Sequence, residues 1–149
     1  LQCANIVVKN ERMRRALKTE LNKTGYSQLS TAGLASCQSA YAKGAAWFEA
    51  LKVYLSENIA FTRRFIDERL PYVKLAEPQG TYLLWLDFSA YALTQKVLDS
   101  RVTSGAKLWL DGGTMFGVEG EGFQRMNIAC PRTVLSEALN RLEAEFGRE

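Results

Sequence analysis

The chain contains no histidine, and this absence excludes several classes of chemistry. Catalysis by a serine or cysteine nucleophile that histidine activates is excluded, and so are most zinc sites. The three cysteines, Cys3, Cys37 and Cys130, do not have metal-binding spacing either. We therefore predict no metal site, and any chemistry of this chain must use lysine, tyrosine, arginine, carboxylates or a cofactor.

The cysteines are also few, odd in number and far apart, which is typical of reduced thiols in a cytoplasmic protein. We expect them to be mostly buried. The sequence shows no signal peptide and no apolar run long enough to span a membrane. We therefore predict a cytoplasmic location and no membrane partner.

A strong excess of one charge sign is missing as well. The net charge is +3, from 19 basic and 16 acidic residues that are spread along the chain, so we predict no nucleic-acid partner. One basic cluster, Arg12, Arg14, Arg15 and Lys18, lies on a predicted helix, where a solvated face is favoured over a phosphate-binding patch. Hydrophobic residues make up 47% of the chain, which is ordinary for a globular protein with a core.

The first 43 residues combine an apolar stretch with two helical patterns. Ala4 to Val8 is predicted to form a strand, and the apolar stretch that begins at Leu1 requires partner strands. Because the rest of the sequence offers few strands, we expect this chain to be a piece of a longer protein. A helix follows that Asn10 can cap and Gly25 can end. Ser30 or Thr31 then starts a second helix, which is predicted from Ala32 to Ala42.

The second helix is rich in small residues, which suit either tight packing in a core or contact with another subunit; the pattern favours the core. A long helical pattern then runs from Ala45 to Leu70 and stops at Pro71. Such a helix would span roughly 40 Å, and a helix of that length often bridges two bodies. We therefore predict a domain boundary there.

After Pro71 the pattern changes to short strands with helices between them. This order favours a small α+β domain, with a mostly antiparallel sheet and helices on one face. The predicted elements are strands at Val73–Ala76, Thr81–Phe88, Leu108–Leu110 and Phe123–Ala129, a helix from a Thr94 cap to about Ser104, and a last helix capped by Thr133.

A glycine-rich loop from Gly112 to Gly122 leads into the last strand, which carries Arg125. The loop lacks the lysine of a P-loop and precedes a strand, so an anion site and a hairpin-like connection are equally supported. A guanidinium on a rigid strand suits a carboxylate or phosphate, although the pattern alone favours a solvent-facing arginine. Arg132 can equally cap the last helix or form an ion pair near it.

Three further residues are weaker candidates. Lys107 is the lysine nearest the loop, and an edge-strand lysine is favoured over a Schiff-base lysine. Tyr82 and Trp85 are interpreted as core residues rather than as residues that stack on a substrate.

Two motifs carry a resemblance to a known family. Residues 78–88 read PxGTYLLWLDF and residues 113–132 read GxMFGxxGxGFxRMNIACPR, where x stands for any residue. They resemble the C-terminal part of the class I/II aminotransferase superfamily, and most closely its cystathionine β-lyase / cysteine-S-conjugate β-lyase (MalY/PatB-type) branch. The start of the chain, Leu1-Gln2-x-Ala4-Asn5, resembles the segment immediately after the cofactor-binding lysine of that family. The resemblance covers the whole chain but only the last part of the family's longer polypeptide.

The resemblance implies a fold-type I pyridoxal 5′-phosphate enzyme, usually a homodimer. In this α/β fold a large domain holds the cofactor, and a small domain closes over an amino-acid substrate. Residues 1–43 would be the tail of the large domain, residues 44–70 the inter-domain helix, and residues 71–149 the small α+β domain.

The same resemblance implies roles for three residues. Arg125 matches the arginine that binds the substrate α-carboxylate, and Met115 and Phe116 would line the rim of the pocket. No lysine of this chain matches the Schiff-base lysine, which we expect upstream of Leu1, so no catalytic residue is assigned here and we expect the chain alone to be inactive.

The implied reaction of the intact enzyme converts cystathionine or another cysteine S-conjugate to a thiol, pyruvate and ammonia. An aminotransferase of the same superfamily is one alternative. A freestanding, non-catalytic binding module is an alternative of a different class.

Overall fold

The computed structural model describes residues 3–25 and 29–147. These residues fall into two compact units that divide between Ala50 and Leu51. None of the helices within them has both the length and the apolar character that a bilayer crossing needs. The elements are α1 (Glu11–Lys23), α2 (Thr31–Lys43), α3 (Ala45–Arg69), β1 (Lys74–Leu75), β2 (Leu83–Asp87), α4 (Gln95–Ser100), β3 (Asp111–Gly112), β4 (Phe123–Asn127) and α5 (Arg132–Phe146).

Helices α1 and α2 begin where side-chain caps are available. The Asn10 side chain accepts a hydrogen bond from the backbone nitrogen of Met13 at 3.0 Å, and Ser30 Oγ accepts one from the backbone nitrogen of Gly33 at 3.0 Å. Gly25 follows α1 with a φ of +71°, a left-handed conformation that glycine adopts without steric cost. Both predicted helices are therefore confirmed.

The strand predicted at Ala4–Val8 is wrong. Residues 3–10 have no regular structure, and Ile6 and Val7 are exposed. A strand needs a neighbouring strand for its backbone hydrogen bonds, and the described part of the first unit contains none. Leu1 and Gln2, where the predicted apolar stretch begins, lie outside the described residues.

Helix α2 is not the tightly packed core helix that its small residues predicted. Among its residues Gly33 alone is buried. The described part of the first unit consists of α1, α2 and the start of α3, and α1 has no buried residue either. A contact of α2 with another subunit stays a prediction.

Helix α3 ends just before Pro71, as predicted. Within the second unit, Phe65 and Ile66 of this helix are buried together with Leu70, which follows it. A polar residue of the same helix, Asn58, is fully buried as well. The C-terminal part of α3 therefore belongs to the core of the second unit.

The second unit is built on an antiparallel sheet with the strand order β1-β2-β4-β3. Leu84, Leu86 and Met126 of this sheet face the core, and their chain neighbours face the other side because side chains alternate along a strand. Helices cover the core face, so the predicted α+β architecture is confirmed. The helical residues of this core are Phe65, Ile66, Leu98, Leu135, Leu139, Leu142 and Phe146.

The strand predicted at Leu108–Leu110 is wrong, because β3 begins at Asp111. The backbone at Lys107 is left-handed, with a φ of +56°, and the Leu108 nitrogen donates a hydrogen bond to the Val102 carbonyl oxygen at 3.0 Å. The predicted residues therefore follow the turn after α4, and pairing with β4 starts at Asp111.

Two helix starts were predicted at threonines. Thr94 precedes α4 as predicted, although its side chain makes no capping hydrogen bond, and the helix widens into a π-helical turn that ends at Gly105. Thr133 does not cap α5, because the helix already begins at Arg132 and Pro131 takes the cap position. The fixed φ of proline suits it to the start of a helix.

Candidate functional site

Arg125 lies in the middle of β4, on the face of the sheet that points away from the core. Its neighbours Gln124 and Met126 are buried, whereas Arg125 is half-buried. The register places Trp85 of β2 opposite Arg125 on one side and Asp111 of β3 on the other. Trp85, Arg125 and Asp111 therefore form one row across three strands.

Arg125 forms an ion pair with Asp111. The Asp111 Oδ2 atom accepts hydrogen bonds from Arg125 Nη2 at 2.6 Å and from Arg125 Nε at 3.1 Å. The two side chains are 32% and 36% exposed, so water weakens the pair in part. Asp111 was not predicted, because the predicted strand before the loop, Leu108–Leu110, ends one residue before it; pairing a later strand with β4 would have identified it.

Aromatic rings lie against the guanidinium. The Arg125 Cζ atom lies 4.6 Å from the centre of the Phe116 ring. Phe116 meets Trp85 edge-on at 5.5 Å between ring centres, and Trp85 stacks on Phe123 at 5.6 Å. Cation–π and ring–ring attraction both favour this arrangement. We call Trp85, Asp111, Phe116, Phe123 and Arg125 the outer cluster.

The glycine-rich loop is folded into two 3₁₀ turns on either side of Gly117. The turns approach so closely that a Cβ atom on Gly113 would lie 1.9 Å from the Gly120 carbonyl oxygen. Gly117 itself has a φ of +136°. The fold of the loop thus explains these glycines without a bound anion, and it presents Phe116 to Arg125.

A polar network fixes β4 from its core side. Asp99 Oδ1 accepts hydrogen bonds from Gln95 Nε2 at 2.7 Å and from Gln124 Nε2 at 2.6 Å. Gln95 Oε1 in turn accepts one from the Gly122 nitrogen at 3.0 Å. Both glutamines are buried, and buried amides with satisfied hydrogen bonds hold their surroundings in one arrangement. The network, which sequence analysis missed, therefore holds the strand next to Arg125.

A third buried amide, that of Asn58, holds the end of β4. Asn58 Nδ2 donates hydrogen bonds to the carbonyl oxygens of Ile128 at 2.9 Å and Cys130 at 3.3 Å. Asn58 Oδ1 accepts one from Arg132 Nε at 2.7 Å, and the Arg132 guanidinium lies over the Phe61 ring. Arg132, whose role the sequence left open, therefore supports the structure after β4. Nothing in the sequence around Asn58 signalled this role.

The other predicted residues lie outside the centre of the cluster. Met115, next to Phe116, is 72% exposed, and Lys107 is exposed before β3 rather than on an edge strand. Tyr82 is also exposed, so its interpretation as a core residue is wrong; it lies just before β2 begins. Trp85 is half-buried and belongs to the outer cluster instead of the core.

The cysteines and the basic cluster of α1 give no second candidate. Cys3, Cys37 and Cys130 are free and partly buried, which is less burial than predicted. Burial raises the pKa of the Cys130 thiol. The basic residues of α1 are exposed, with Arg15 paired to Glu11, so their interpretation as a solvated face is confirmed. The described residues gather no group of three side chains that could hold a metal ion.

Comparison with known proteins gives relatives that are named lyases or aminotransferases. No protein-family model matches the chain. The chain is 34% identical to cystathionine β-lyase PatB of Bacillus subtilis over 144 aligned residues. The alignment covers 97% of this chain and 37% of that protein. A PLP-bound putative aminotransferase from Clostridium difficile has a TM-score of 0.90 and 36% identity, over 94% of this chain and 36% of that one. The resemblance to the class I/II aminotransferase superfamily is confirmed.

A further solved structure is similar to this chain. Cystalysin from Treponema denticola, which contains a pyridoxal 5′-phosphate cofactor, has a TM-score of 0.89 and 29% identity, over 93% of this chain and 35% of that one. The chain thus spans little more than a third of the length of these relatives.

The two motifs that carry the superfamily resemblance meet at the outer cluster. Trp85 belongs to the first motif, whereas Phe116, Phe123 and Arg125 belong to the second. Antiparallel pairing of β2 with β4 brings these motifs side by side. Asp111 lies just before the second motif and joins the cluster through β3.

Proposed function

We propose that this chain is part of a pyridoxal-phosphate-dependent C–S β-lyase, in which Arg125 binds the α-carboxylate of an amino-acid substrate. The observation that carries this proposal is the half-exposed guanidinium of Arg125, fixed on a strand between Asp111 and the Phe116 ring. The relative named cystathionine β-lyase supports the reaction class. The intact enzyme would convert cystathionine or another cysteine S-conjugate to a thiol, pyruvate and ammonia.

Arg125 suits this task because a guanidinium offers parallel N–H donors to the two oxygens of a carboxylate. The sheet fixes the base of the side chain, and the guanidinium lies over the Phe116 ring. A substrate held by its carboxylate presents its α-carbon in a constant orientation, as bond cleavage next to that carbon requires. Met115 and Phe116 would form the rim of this pocket.

The outer cluster suits a carboxylate and does not suit the cofactor itself. Enzymes of this kind hold pyridoxal phosphate through a lysine, and the outer cluster contains no lysine. We therefore assign no step of cofactor chemistry to this chain. We propose instead that the Schiff-base lysine lies upstream of Leu1.

The proposed domain organisation follows the superfamily. Residues 1–43 would be the tail of a large cofactor-binding domain, residues 44–70 an inter-domain helix, and residues 71–149 the small domain that carries Arg125. The intact enzyme would be a cytoplasmic homodimer.

An aminotransferase is the second candidate, because the Clostridium difficile relative is named a putative aminotransferase. The same carboxylate-binding arginine would serve either reaction. Incubation of the intact enzyme with cystathionine separates the two, and we expect pyruvate to form. Amino transfer to a keto acid without pyruvate would contradict the lyase.

Substitution of Arg125 by alanine in the intact enzyme tests the carboxylate role. We expect the KM for the amino-acid substrate to rise about 100-fold, while the visible absorbance of the bound cofactor stays nearly unchanged. Arg125→Lys should recover only part of the loss, because it keeps the positive charge but lacks the planar pair of N–H donors. Arg141→Ala removes an arginine that is paired with Glu137 and should leave KM unchanged. An unchanged KM in Arg125→Ala would refute the role.

The 149-residue chain itself tests the proposed position of the lysine. With one equivalent of added pyridoxal phosphate we expect no stable visible band from a Schiff base, and a strong stoichiometric band would contradict the proposal. The coding sequence ahead of Leu1 gives an independent check. We expect it to encode a lysine in a Ser-x-x-Lys-x-Phe-Asn-like context.

A further inference from the structure

The Arg125–Asp111 contact uses one particular edge of the guanidinium. Arg125 Nε and Nη2 both donate to the same oxygen, Asp111 Oδ2, at 3.1 Å and 2.6 Å. A guanidinium has five N–H donors. The N–H groups of Nε and Nη2 point out from one edge, and those of Nη1 and Nη2 point out from a second edge. Asp111 therefore occupies the first edge.

The second edge stays available. Within residues 3–25 and 29–147, Arg125 Nη1 has no hydrogen-bond partner, and the side chain is 32% exposed. The Phe116 ring contacts the guanidinium, with its centre 4.6 Å from Arg125 Cζ. Two parallel N–H groups on one edge match the spacing of the two oxygens of a carboxylate.

The backbone fixes both members of the pair. Asp111 and Arg125 are directly opposite in the register of β3 and β4, so their side chains leave the same face of the sheet at neighbouring positions. A side chain as long as arginine otherwise has many rotamers, and ordering them costs free energy when a ligand binds. A partner that already holds one edge reduces that cost.

We propose that Asp111 is a positioning residue: it holds the Nε–Nη2 edge of Arg125 and thereby turns the Nη1–Nη2 edge toward the substrate carboxylate. This inference rests on the proposed function, in which Arg125 binds that carboxylate. The opposite role, a competitor that occupies Arg125 and must be displaced, predicts the opposite change in KM. The geometry favours positioning because Asp111 and an incoming carboxylate would use different edges.

Kinetics of the intact enzyme with cystathionine separate these roles. For Asp111→Ala we expect KM to rise about tenfold, because several orientations of the guanidinium become accessible, with kcat within about twofold. Asp111→Asn keeps an acceptor of the same shape and should give a smaller rise. Glu119→Gln removes one negative charge from the exposed loop and should leave KM unchanged. A KM that falls or stays the same in Asp111→Ala would overturn the inference.

A second measurement reads the orientation without the reaction. In the ¹⁵N-arginine-labelled 149-residue chain, the Nε–H signal that disappears in Arg125→Lys belongs to Arg125. We expect slow solvent exchange of this proton, and at least tenfold faster exchange in Asp111→Ala at an unchanged melting temperature. If Asp111→Ala unfolds, Asp111→Leu, which also removes the acceptor oxygens, takes its place. Equal exchange rates in the folded variant and the original chain would overturn the inference.

The two measurements distinguish this inference from the proposed function. If the intact enzyme acts on neither cystathionine nor amino donors, the proposed function fails and the substrate part of the inference fails with it. If the enzyme is active and Arg125→Ala raises KM but Asp111→Ala does not, the proposed function stands and only the positioning role of Asp111 is refuted.

Discussion

On the inner face of the sheet, Leu84, Leu86 and Met126 are at most 3% exposed. On the outer face of the same strands, their chain neighbours Trp85 and Arg125 are partly exposed. The inner face buries apolar area, which stabilises the fold. The outer face carries a charge and aromatic rings that the core does not need. Because neighbouring residues of a strand face opposite sides, β2 and β4 carry both the core and the candidate site.

Polar groups on the two faces also differ. On the inner face, Gln124 is 1% exposed and bound to Asp99, and the described residues contain no buried side-chain nitrogen or oxygen without a partner. On the outer face, Arg125 bonds Asp111 through one edge alone. A satisfied polar group supports structure, whereas a donor with unused N–H groups near solvent can bind a ligand.

The largest effect that we expect belongs to the inner face. Leu86→Ala should lower the free energy of unfolding of the 149-residue chain by about 3 kcal/mol, since it removes a fully buried side chain and leaves a cavity. Leu83→Ala, in the same strand on the half-buried outer face, should cost about 1 kcal/mol. Urea unfolding measures both. Equal losses would show that the two faces do not differ as described.

The second effect concerns the buried amide that holds the end of β4. Asn58→Ala should cost about 2 kcal/mol, because it leaves the Ile128 carbonyl oxygen and the Arg132 guanidinium without their buried partner. Asn140→Ala, at an exposed position of α5, is the matched control and should change stability by less than about 0.5 kcal/mol. Urea unfolding would contradict this support role if both variants lost equal stability.

Elements with local signals could be predicted from the sequence. The caps at Asn10 and Ser30 and the proline after α3 fixed helix ends. Strand β4 was predicted within two residues of its observed end, and it begins at Phe123 as predicted. The importance of Arg125, however, came from the motif resemblance, because the residue pattern alone favoured a solvent-facing arginine.

Features that depend on distant partners could not be predicted in this way. The strand at Ala4–Val8 had the right composition, but no strand of the described first unit pairs with it. Strand β3 has two residues, so only its pairing with β4 fixes its position and brings Asp111 to Arg125. Asn58 lies 70 residues before the carbonyl group that it binds, at Ile128. Such partners are set by tertiary structure.

A smaller effect is expected on the outer face. Phe116→Leu should lower the free energy of unfolding by at most about 1 kcal/mol, since it removes a cation–π contact and an edge-on ring contact at a half-exposed position. It should also change the emission of Trp85, measured with the exposed Trp47 and Trp109 replaced by phenylalanine. Val118→Ala, in the same loop and 82% exposed, should change neither quantity. Unchanged emission in Phe116→Leu would contradict the ring contact.

The smallest effect that we expect is a change in the pH dependence of stability, and it comes from Cys130, which follows β4. Burial raises the pKa of this thiol above its ordinary value of 9.0, so the unfolded chain loses the proton at lower pH than the folded chain does. Cys130 should therefore not affect the pH dependence of stability below its ordinary pKa, and it should lower stability as pH rises from there through the raised pKa. Urea unfolding at pH 8 and pH 10 should show a slightly smaller loss in Cys130→Ala than in the original chain. Alkylation gives a second readout, because the thiolate is the reactive form: at pH 9 Cys130 should react more slowly in the folded chain than in urea, and equal rates would mean that the fold does not bury the thiol.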